Sequence, residues 1–184
     1  MAVILDGKKV AEEIRAELKV KVDELKNAGK KVPGLVTILV GDNPASQTYV
    51  NSKAKDCSGI GMLSKVEILS AETSEKDLLE LIQKYNSDNN YHGILVQLPL
   101  PKHINEEKII QAISPSKDVD GFHPVSVGNL MIGSDTFYPC TPYGIVEIMK
   151  RYKIDTKGKH VVVVGRSNIV GKPMAMLLMA RNAT

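Results

Sequence analysis

The sequence predicts an α/β fold with a mostly parallel sheet flanked by helices. Two observations lead to this class. Strand-like and helix-like patterns alternate along the 184 residues, and apolar β-branched runs such as GLVTILV end in turn residues before the next helical pattern. Strands joined through helices form parallel sheets whose faces the helices cover. A composition of 43% hydrophobic and 24% charged residues fits a globular protein.

Local signals define the elements in order. Apolar residues at helical spacing from Val10 to Leu25 predict the first helix, and Gly29 ends it. Asn43-Pro44 predicts a helix start with proline in the first turn, and Thr73 or Ser74 caps the next helix. The predicted strands are 35–40, 62–70, 93–101 and 161–164; further helices are 104–113, 141–152 and one after the glycine loop at 165–173; 114–126 is an irregular loop.

Composition excludes several classes of function. The net charge is only +3, the lysines are scattered and there is no Trp, so no nucleic-acid surface is predicted. No apolar run approaches the ~18–20 residues of a membrane-spanning helix, and the first residues lack a signal-peptide pattern. Cys57 and Cys140 form no CxxC pair and the histidines lack metal-ligand spacing, so we expect reduced thiols, a cytoplasmic protein and no metal.

The segment GRSNIVGKP, residues 165–173, follows an apolar run and precedes a helix. It is not a phosphate-loop NTPase motif, because five residues separate Gly165 from Gly171 and Pro173 follows the lysine. It is not GxGxxG either, because Ser167 stands at the second glycine position. Such a turn is either an ordinary tight connection or a nucleotide-phosphate site at a helix N-terminus. Arg166 and Ser167 favour a 2′-phosphate, and therefore NADP.

Tyr49 and Lys53 lie four residues apart on a predicted helix and so share one helical face. That helix follows the carboxyl end of a strand, where open α/β sheets bind ligands. Gln97 follows a second strand at the same edge. The alternatives are a solvated lysine beside a half-buried tyrosine, and a glutamine that only completes a turn.

The segment KDVDGF places Asp118 and Asp120 in a loop before Gly121. One interpretation is an Asx-type turn. The other is a carboxylate that accepts hydrogen bonds from the amino and ring N–H groups of a heterocycle.

As an ordered set, these segments resemble the bifunctional methylenetetrahydrofolate dehydrogenase/methenyltetrahydrofolate cyclohydrolase family. The resemblance rests on PASQTYVNSKAKDCSGIG, GILVQLPLP, SPSKDVDGF, PCTPYGIVEIMK and VVVVGRSNIVGKP, and covers essentially the whole chain. It implies a folate-binding catalytic domain at 1–140, followed at 141–184 by a connecting helix and the start of a Rossmann-type NADP domain. The implied reactions are oxidation of 5,10-methylenetetrahydrofolate with NADP and hydrolysis of the methenyl product to 10-formyltetrahydrofolate.

The resemblance also implies residue roles. Lys53 matches the family's catalytic lysine, Tyr49 its partner tyrosine and Gln97 its glutamine. Asp120 matches the aspartate that binds the pterin, and Pro99 joins the folate site. The chemistry suits these residue types, because water attack on a cationic methenyl carbon needs a base such as a neutral amine. The implied NADP-binding residues are Gly165, Arg166, Ser167, Ile169, Val170, Gly171 and Pro173.

Family members are longer, so the Rossmann unit is expected to be incomplete and residues 155–184 to be mobile, rearranged or buried against a neighbour. The resemblance implies a homodimer in the full-length form. The alternative to the two-activity enzyme is a non-catalytic folate-binding or structural fragment without a working cofactor site.

Overall fold

The computed structural model describes residues 2–184, which form two compact units. We call residues 13–118 the sheet unit, and residues 2–12 with 119–184 the helical unit. The strands are β1 (Gly34–Val40), β2 (Leu63–Leu69) and β3 (Gly93–Val96); the helices are α1 (Gly7–Asn27), α2 (Pro44–Gly59), α3 (Glu75–Ser87), α4 (Glu106–Ala112), α5 (Pro124–Ile132), α6 (Cys140–Arg151) and α7 (Gly171–Met179), with a 3-10 turn at Pro115–Lys117.

The sheet unit contains a three-stranded parallel sheet in the order β2-β1-β3, which confirms the predicted α/β class. Its central strand, β1, has neighbours on both sides: Gly34 is in register with Leu63 of β2, and Leu35 with Gly93 of β3. Parallel strands end at the same edge, so the residues that follow β1 and β3 meet there. This edge carries the candidate site.

Helices cover both faces of this sheet. Val36, Ile38 and Val40 alternate along β1 and join one buried core with residues of β3, α3 and α4, among them Leu78 and Ile109. The residues between them face the opposite side, where α2 packs against β1 and β2. A strand buried on both faces explains why GLVTILV is apolar at nearly every position.

Side-chain caps start α2 and α3 where the sequence predicts them, and a third cap starts α4. Asn43 Oδ1 accepts a hydrogen bond from Ser46 N (3.1 Å) at the start of α2, and Ser74 Oγ accepts one from Asp77 N (3.1 Å) at the start of α3. Asn105 Oδ1 does the same for Lys108 N (3.1 Å) in α4. Each cap satisfies one amide that has no partner within its helix.

Two boundaries differ from prediction. β3 ends at Val96 and not at residue 101, because Pro99 and Pro101 have no N–H to continue a ladder; the Leu98–Pro99 peptide is cis. Part of the predicted loop 114–126 belongs to α5, which continues to residue 132. His123 caps this helix by accepting a hydrogen bond from Val125 N (3.1 Å). Histidine is not one of the residues that usually mark a helix start in a sequence.

The helical unit has its own core, formed where α7 packs against α5 and α6. Its buried members are Leu130, Val146, Met174, Leu177 and Leu178. This packing buries one face of α7 inside the helical unit itself. Whether residues 155–184 are mobile, rearranged or buried against a neighbour stays a prediction. Within residues 2–184, no helix is both long and apolar enough to cross a membrane.

The predicted strand at 161–164 is wrong: these residues form no β-strand. Two backbone hydrogen bonds tie the start of this segment to Thr184, from Val161 N to Thr184 O and from Thr184 N to Lys159 O, both 2.8 Å. Val161 and Val163 pack against the core of the helical unit, whereas Val162 and Val164 are 72% and 98% exposed. An apolar run becomes a strand only where neighbouring backbones complete its ladder.

Candidate active site

A lysine and a glutamine meet at the carboxyl edge of the sheet. Lys53 Nζ, on α2, donates a hydrogen bond to Gln97 Oε1, one residue beyond β3, at 3.0 Å. Both side chains are half-buried. The sequence placed both residues at this edge, and the structure shows that they are in direct contact.

The backbone fixes the orientation of the Gln97 amide. Gln97 Nε2 donates to its neighbour's carbonyl, Leu98 O (2.8 Å), so Oε1 is the atom left to face Lys53. Gln97 N also donates to Ile38 O of β1 (2.8 Å), which extends the β1–β3 pairing by one residue. The acceptor for Lys53 is therefore held by a side-chain bond to the following turn and a backbone bond to β1.

Tyr49 lies one turn before Lys53 on α2 and is 64% exposed. It is more exposed than the half-buried tyrosine of the alternative interpretation, so its ring and hydroxyl are available to a ligand. Pro99 is also exposed, two residues after Gln97.

The two aspartates of KDVDGF differ in their surroundings. Asp118 is buried and pairs its backbone with Ile94, as an isolated parallel bridge beside β3. Lys117, the residue before Asp118, is anchored as well, because its Nζ donates hydrogen bonds to Tyr85 O (2.7 Å) and Asp88 O (2.8 Å). Asp120 is half-buried and belongs to the helical unit. Burial separates Asp118 from Asp120, and the sequence offered no sign of this difference.

The loop at 165–171 is closed tightly at its base. A Cβ on Gly171 would lie 2.6 Å from Gly165 C and 2.7 Å from Arg166 N, so only glycine fits there. Ser167 Oγ accepts hydrogen bonds from Val170 N and Gly171 N, both at 3.2 Å. Arg166 and Ile169 are exposed, and Pro173 is buried at the start of α7.

Sequence reasoning missed the residues that hold this site in place. The carbonyl of Leu98, which orients the Gln97 amide, cannot be identified from a sequence pattern, because every residue has a backbone carbonyl. Glu106 accepts a hydrogen bond from Leu100 N (3.1 Å), a contact between residues six apart across a proline-rich turn. Within residues 2–184, no group of three or more His, Cys, Asp or Glu side chains is arranged to hold a metal.

Two family models cover most of the chain. Residues 5–120 match the tetrahydrofolate dehydrogenase/cyclohydrolase catalytic domain, and residues 139–184 match the NAD(P)-binding domain of the same family. Among curated relatives, the "Bifunctional protein FolD" of Chloroherpeton thalassium is 58% identical over 98% of this chain and 62% of its own length. The protein of the same name from Enterococcus faecalis is 55% identical over 100% of this chain and 65% of its own length.

Solved structures give the same result. The bifunctional enzyme FolD-methylenetetrahydrofolate dehydrogenase/cyclohydrolase from Campylobacter jejuni aligns with a TM-score of 0.96 at 51% identity, over 99% of this chain and 64% of that one. The Trypanosoma brucei methylenetetrahydrofolate dehydrogenase-cyclohydrolase, complexed with NADP cofactor and inhibitor, aligns with a TM-score of 0.95 at 37% identity, over 100% of this chain and 63% of that one.

The chain spans less than two thirds of the length of the relatives it matches first, 62% and 65% of the two named above. The catalytic-domain match alone covers more than half of the chain and includes Lys53 and Gln97. The chain belongs to the tetrahydrofolate dehydrogenase/cyclohydrolase family.

Proposed function

We propose that this chain carries the folate site of an enzyme with two activities in one-carbon metabolism. The first oxidises 5,10-methylenetetrahydrofolate to the methenyl form with NADP, and the second hydrolyses the methenyl form to 10-formyltetrahydrofolate. The observation that carries the proposal is the hydrogen bond from Lys53 Nζ to Gln97 Oε1, 3.0 Å long, at the carboxyl edge of the sheet.

Lys53 is proposed as the proton-transfer group of the hydrolysis. Water attack on the electrophilic methenyl carbon releases a proton, and opening of the ring requires a proton at nitrogen. A deprotonated amine accepts the first proton and returns one in the second step. Gln97 occupies only one of the amine's sites, and its neutral amide orients Lys53 without adding a negative charge that would hold the proton there.

Three other side chains are proposed to hold the folate. Tyr49 offers an exposed ring for stacking and a hydroxyl within one helical turn of Lys53. Pro99 adds an exposed apolar surface beyond Gln97. The carboxylate of Asp120 is proposed to accept hydrogen bonds from the pterin, a role that its residue type supports. Positioning supplies most of the dehydrogenase step, which needs no strong base.

The loop at 165–173 fits the phosphates of a dinucleotide. Gly171 has no side chain to block approach, and the exposed guanidinium of Arg166 suits a 2′-phosphate. Ser167 Oγ accepts two amide hydrogen bonds, but its hydroxyl proton remains able to donate to a phosphate oxygen. Gly165, Ile169, Val170 and Pro173 complete the proposed lining. Bound NADP would accept the hydride in the first reaction.

The domain division at 140/141, a cytoplasmic location and a homodimer are part of the same proposal. The NAD(P)-binding match begins at residue 139, two residues before position 141, which supports a division near this point. Reduced thiols at Cys57 and Cys140 support the cytoplasm. Exposed apolar side chains on α5, such as Met131 and Ile132, support self-association.

The test of the proposed site is Lys53→Met, with Lys55→Met as the matched control on an exposed position of the same helix. The decay of methenyl absorbance measures hydrolysis. We expect Lys53→Met to slow it by at least about 100-fold, since a general base contributes on this order, with folate affinity nearly unchanged. Lys55→Met should hydrolyse at the parent rate. Undiminished hydrolysis in Lys53→Met would remove this residue from the mechanism.

The second candidate is a folate-binding fragment without catalysis. It is favoured by the absence of a strand at 161–164, beside the proposed cofactor loop. Measuring NADPH formation from methylenetetrahydrofolate together with methenyl decay separates the candidates. Methenyl decay without NADPH formation would indicate hydrolysis without a working cofactor site. No activity in either assay would favour the fragment.

A further inference from the structure

We propose that Glu106 is a positioning residue for the Lys53–Gln97 pair, acting through the turn at residues 97–101. The inference rests on the proposed function of that pair. It starts from a chain of three contacts within the sheet unit. Glu106 Oε1 accepts from Leu100 N (3.1 Å), Leu98 O accepts from Gln97 Nε2 (2.8 Å), and Gln97 Oε1 accepts from Lys53 Nζ (3.0 Å).

The covalent link between the first two contacts is short and stiff. Only Pro99 separates the carbonyl of Leu98 from the amide of Leu100. The proline ring fixes φ, and the peptide units on either side are planar, so few torsions remain to absorb a displacement. A shift of Leu100 N is therefore passed to Leu98 O, the atom that sets the orientation of the Gln97 amide.

Leu100 has two anchors. Its side chain is buried in the core of the sheet unit, together with that of Ile104, and its amide is held by Glu106. The side chain limits how far Leu100 can move, whereas the hydrogen bond determines the direction in which its amide points. Loss of the bond is thus expected to rotate the peptide while the core packing remains.

Glu106 is itself well placed to act as a fixed acceptor. It is the first residue of α4, where the helix dipole favours a carboxylate. The start of α4 is also tied to α3, because Asn105 N donates to Glu75 Oε2 at 2.9 Å. The carboxylate therefore links the turn to a helix start that has a second attachment, to α3.

The next residue, Glu107, supplies a matched comparison. It is also acidic, exposed and in the first turn of α4. Its carboxylate accepts from Gln111 Nε2 on the same helix (3.2 Å) and makes no bond to the 97–101 turn among the hydrogen bonds described for residues 2–184. A general effect of charge at this helix start should appear equally at both positions, whereas positioning of Gln97 should appear only at Glu106.

The experiment compares Glu106→Ala, Glu106→Gln and Glu107→Ala in the full chain. In the ligand-free protein, the NMR signals of the Gln97 side-chain amide report its hydrogen bonds. Methenyl decay gives kcat and KM for each variant. We expect Glu106→Ala to shift the Gln97 amide signals and to lower kcat by about tenfold with little change in KM, because displacement of a positioned group slows chemistry. Glu106→Gln, which keeps an acceptor oxygen, should restore both, and Glu107→Ala should match the parent.

Unmoved Gln97 signals in Glu106→Ala, or equal effects at Glu106 and Glu107, would overturn the inference. If Glu106→Ala does not fold, Glu106→Asp decides the question: it keeps the charge but shortens the side chain by one methylene, and the Gln97 signals must then shift. If the parent chain does not hydrolyse the methenyl compound, the proposed function fails. The NMR comparison of the variants still tests, on its own, whether Glu106 orients the Gln97 amide.

Discussion

Two segments of this protein begin alike and end differently. Residues 36–44 and 161–171 each consist of an apolar run, a glycine and a loop that leads into a helix. In the first, β1 pairs with strands on both sides and its core-facing residues are fully buried. In the second, Val161 N pairs with Thr184 O, and no other residue of 161–164 has a backbone partner among the hydrogen bonds described for residues 2–184; Val164 is 98% exposed. Similar local sequence therefore leads to a strand only where tertiary partners are present.

The two turns also use glycine differently. Gly41, after β1, adopts φ +92°, a conformation that other residues rarely take, but a Cβ there would meet Ala71 Cβ at 3.8 Å, an ordinary contact. Gly171 is required by contact, since its backbone lies against Gly165 and Arg166. The first glycine allows the chain to turn, and the second allows two backbones to touch.

The largest expected effect comes from filling that contact. Gly171→Ala places a Cβ 2.6 Å from Gly165 C, so the start of α7 must move, at a cost of about 3 kcal/mol for overpacking. Native-state hydrogen exchange of the α7 amides measures it. Gly144→Ala, in α6 with no neighbour within 4 Å, is the control and should be neutral or slightly stabilising. Equal effects at the two glycines would show that the loop is not closed as described.

A smaller effect is expected from a matched pair of valines. Val36→Ala removes a fully buried side chain of β1 and should cost about 2 kcal/mol, whereas Val164→Ala removes an exposed one and should cost less than about 0.5 kcal/mol. Hydrogen exchange of amides in the sheet unit and in the helical unit separates the two losses. A similar cost at Val164 would mean that this run is buried in solution, and would break the comparison.

The smallest expected effect concerns pH. Burial, and then the hydrogen bond that Tyr85 donates to Glu67, raise the pKa of Tyr85 above its ordinary value. The unfolded tyrosine ionises near pH 10, while the folded one stays protonated, so this contribution is complete below pH 10 and is lost as pH rises further. Between about pH 9 and 11 the sheet unit should lose about 1 kcal/mol through this group.

Tyr85→Phe is the variant that isolates this effect. Subtracting its urea midpoints from those of the parent, at each pH, removes the contributions of other tyrosines and lysines. The parent should lose stability more steeply than the variant above pH 10. Parallel curves would show that the Tyr85 proton is not held more tightly in the folded sheet unit.

Much of the sheet unit follows from local chemistry. The apolar period of α1, the caps at Asn43 and Ser74, and the β-branched run of β1 are each predicted by the residues themselves and are confirmed. These features depend on neighbours in sequence, which is why pattern reasoning finds them. α5 was missed because its cap, His123, and its proline resemble the irregular loop before it.

In the candidate site, too, some features could be predicted from the sequence and others could not. Helical spacing put Tyr49 and Lys53 on one face of α2, and strand order put Gln97 at the same edge. Their 3.0 Å contact and the direction of the amide depend on the carbonyl of Leu98, which no sequence pattern marks. The sequence also did not indicate that Asp118 is buried whereas Asp120 is half-buried.

By itself the sequence determined the α/β class, the helix starts and the residue types at the sheet edge, because these depend on side-chain periodicity and on bonds between near neighbours. Only the tertiary structure decided that 161–164 is not a strand, and that the Gln97 oxygen faces Lys53. Both outcomes depend on hydrogen-bond partners far away along the chain or on the orientation of backbone groups, and a local pattern contains neither.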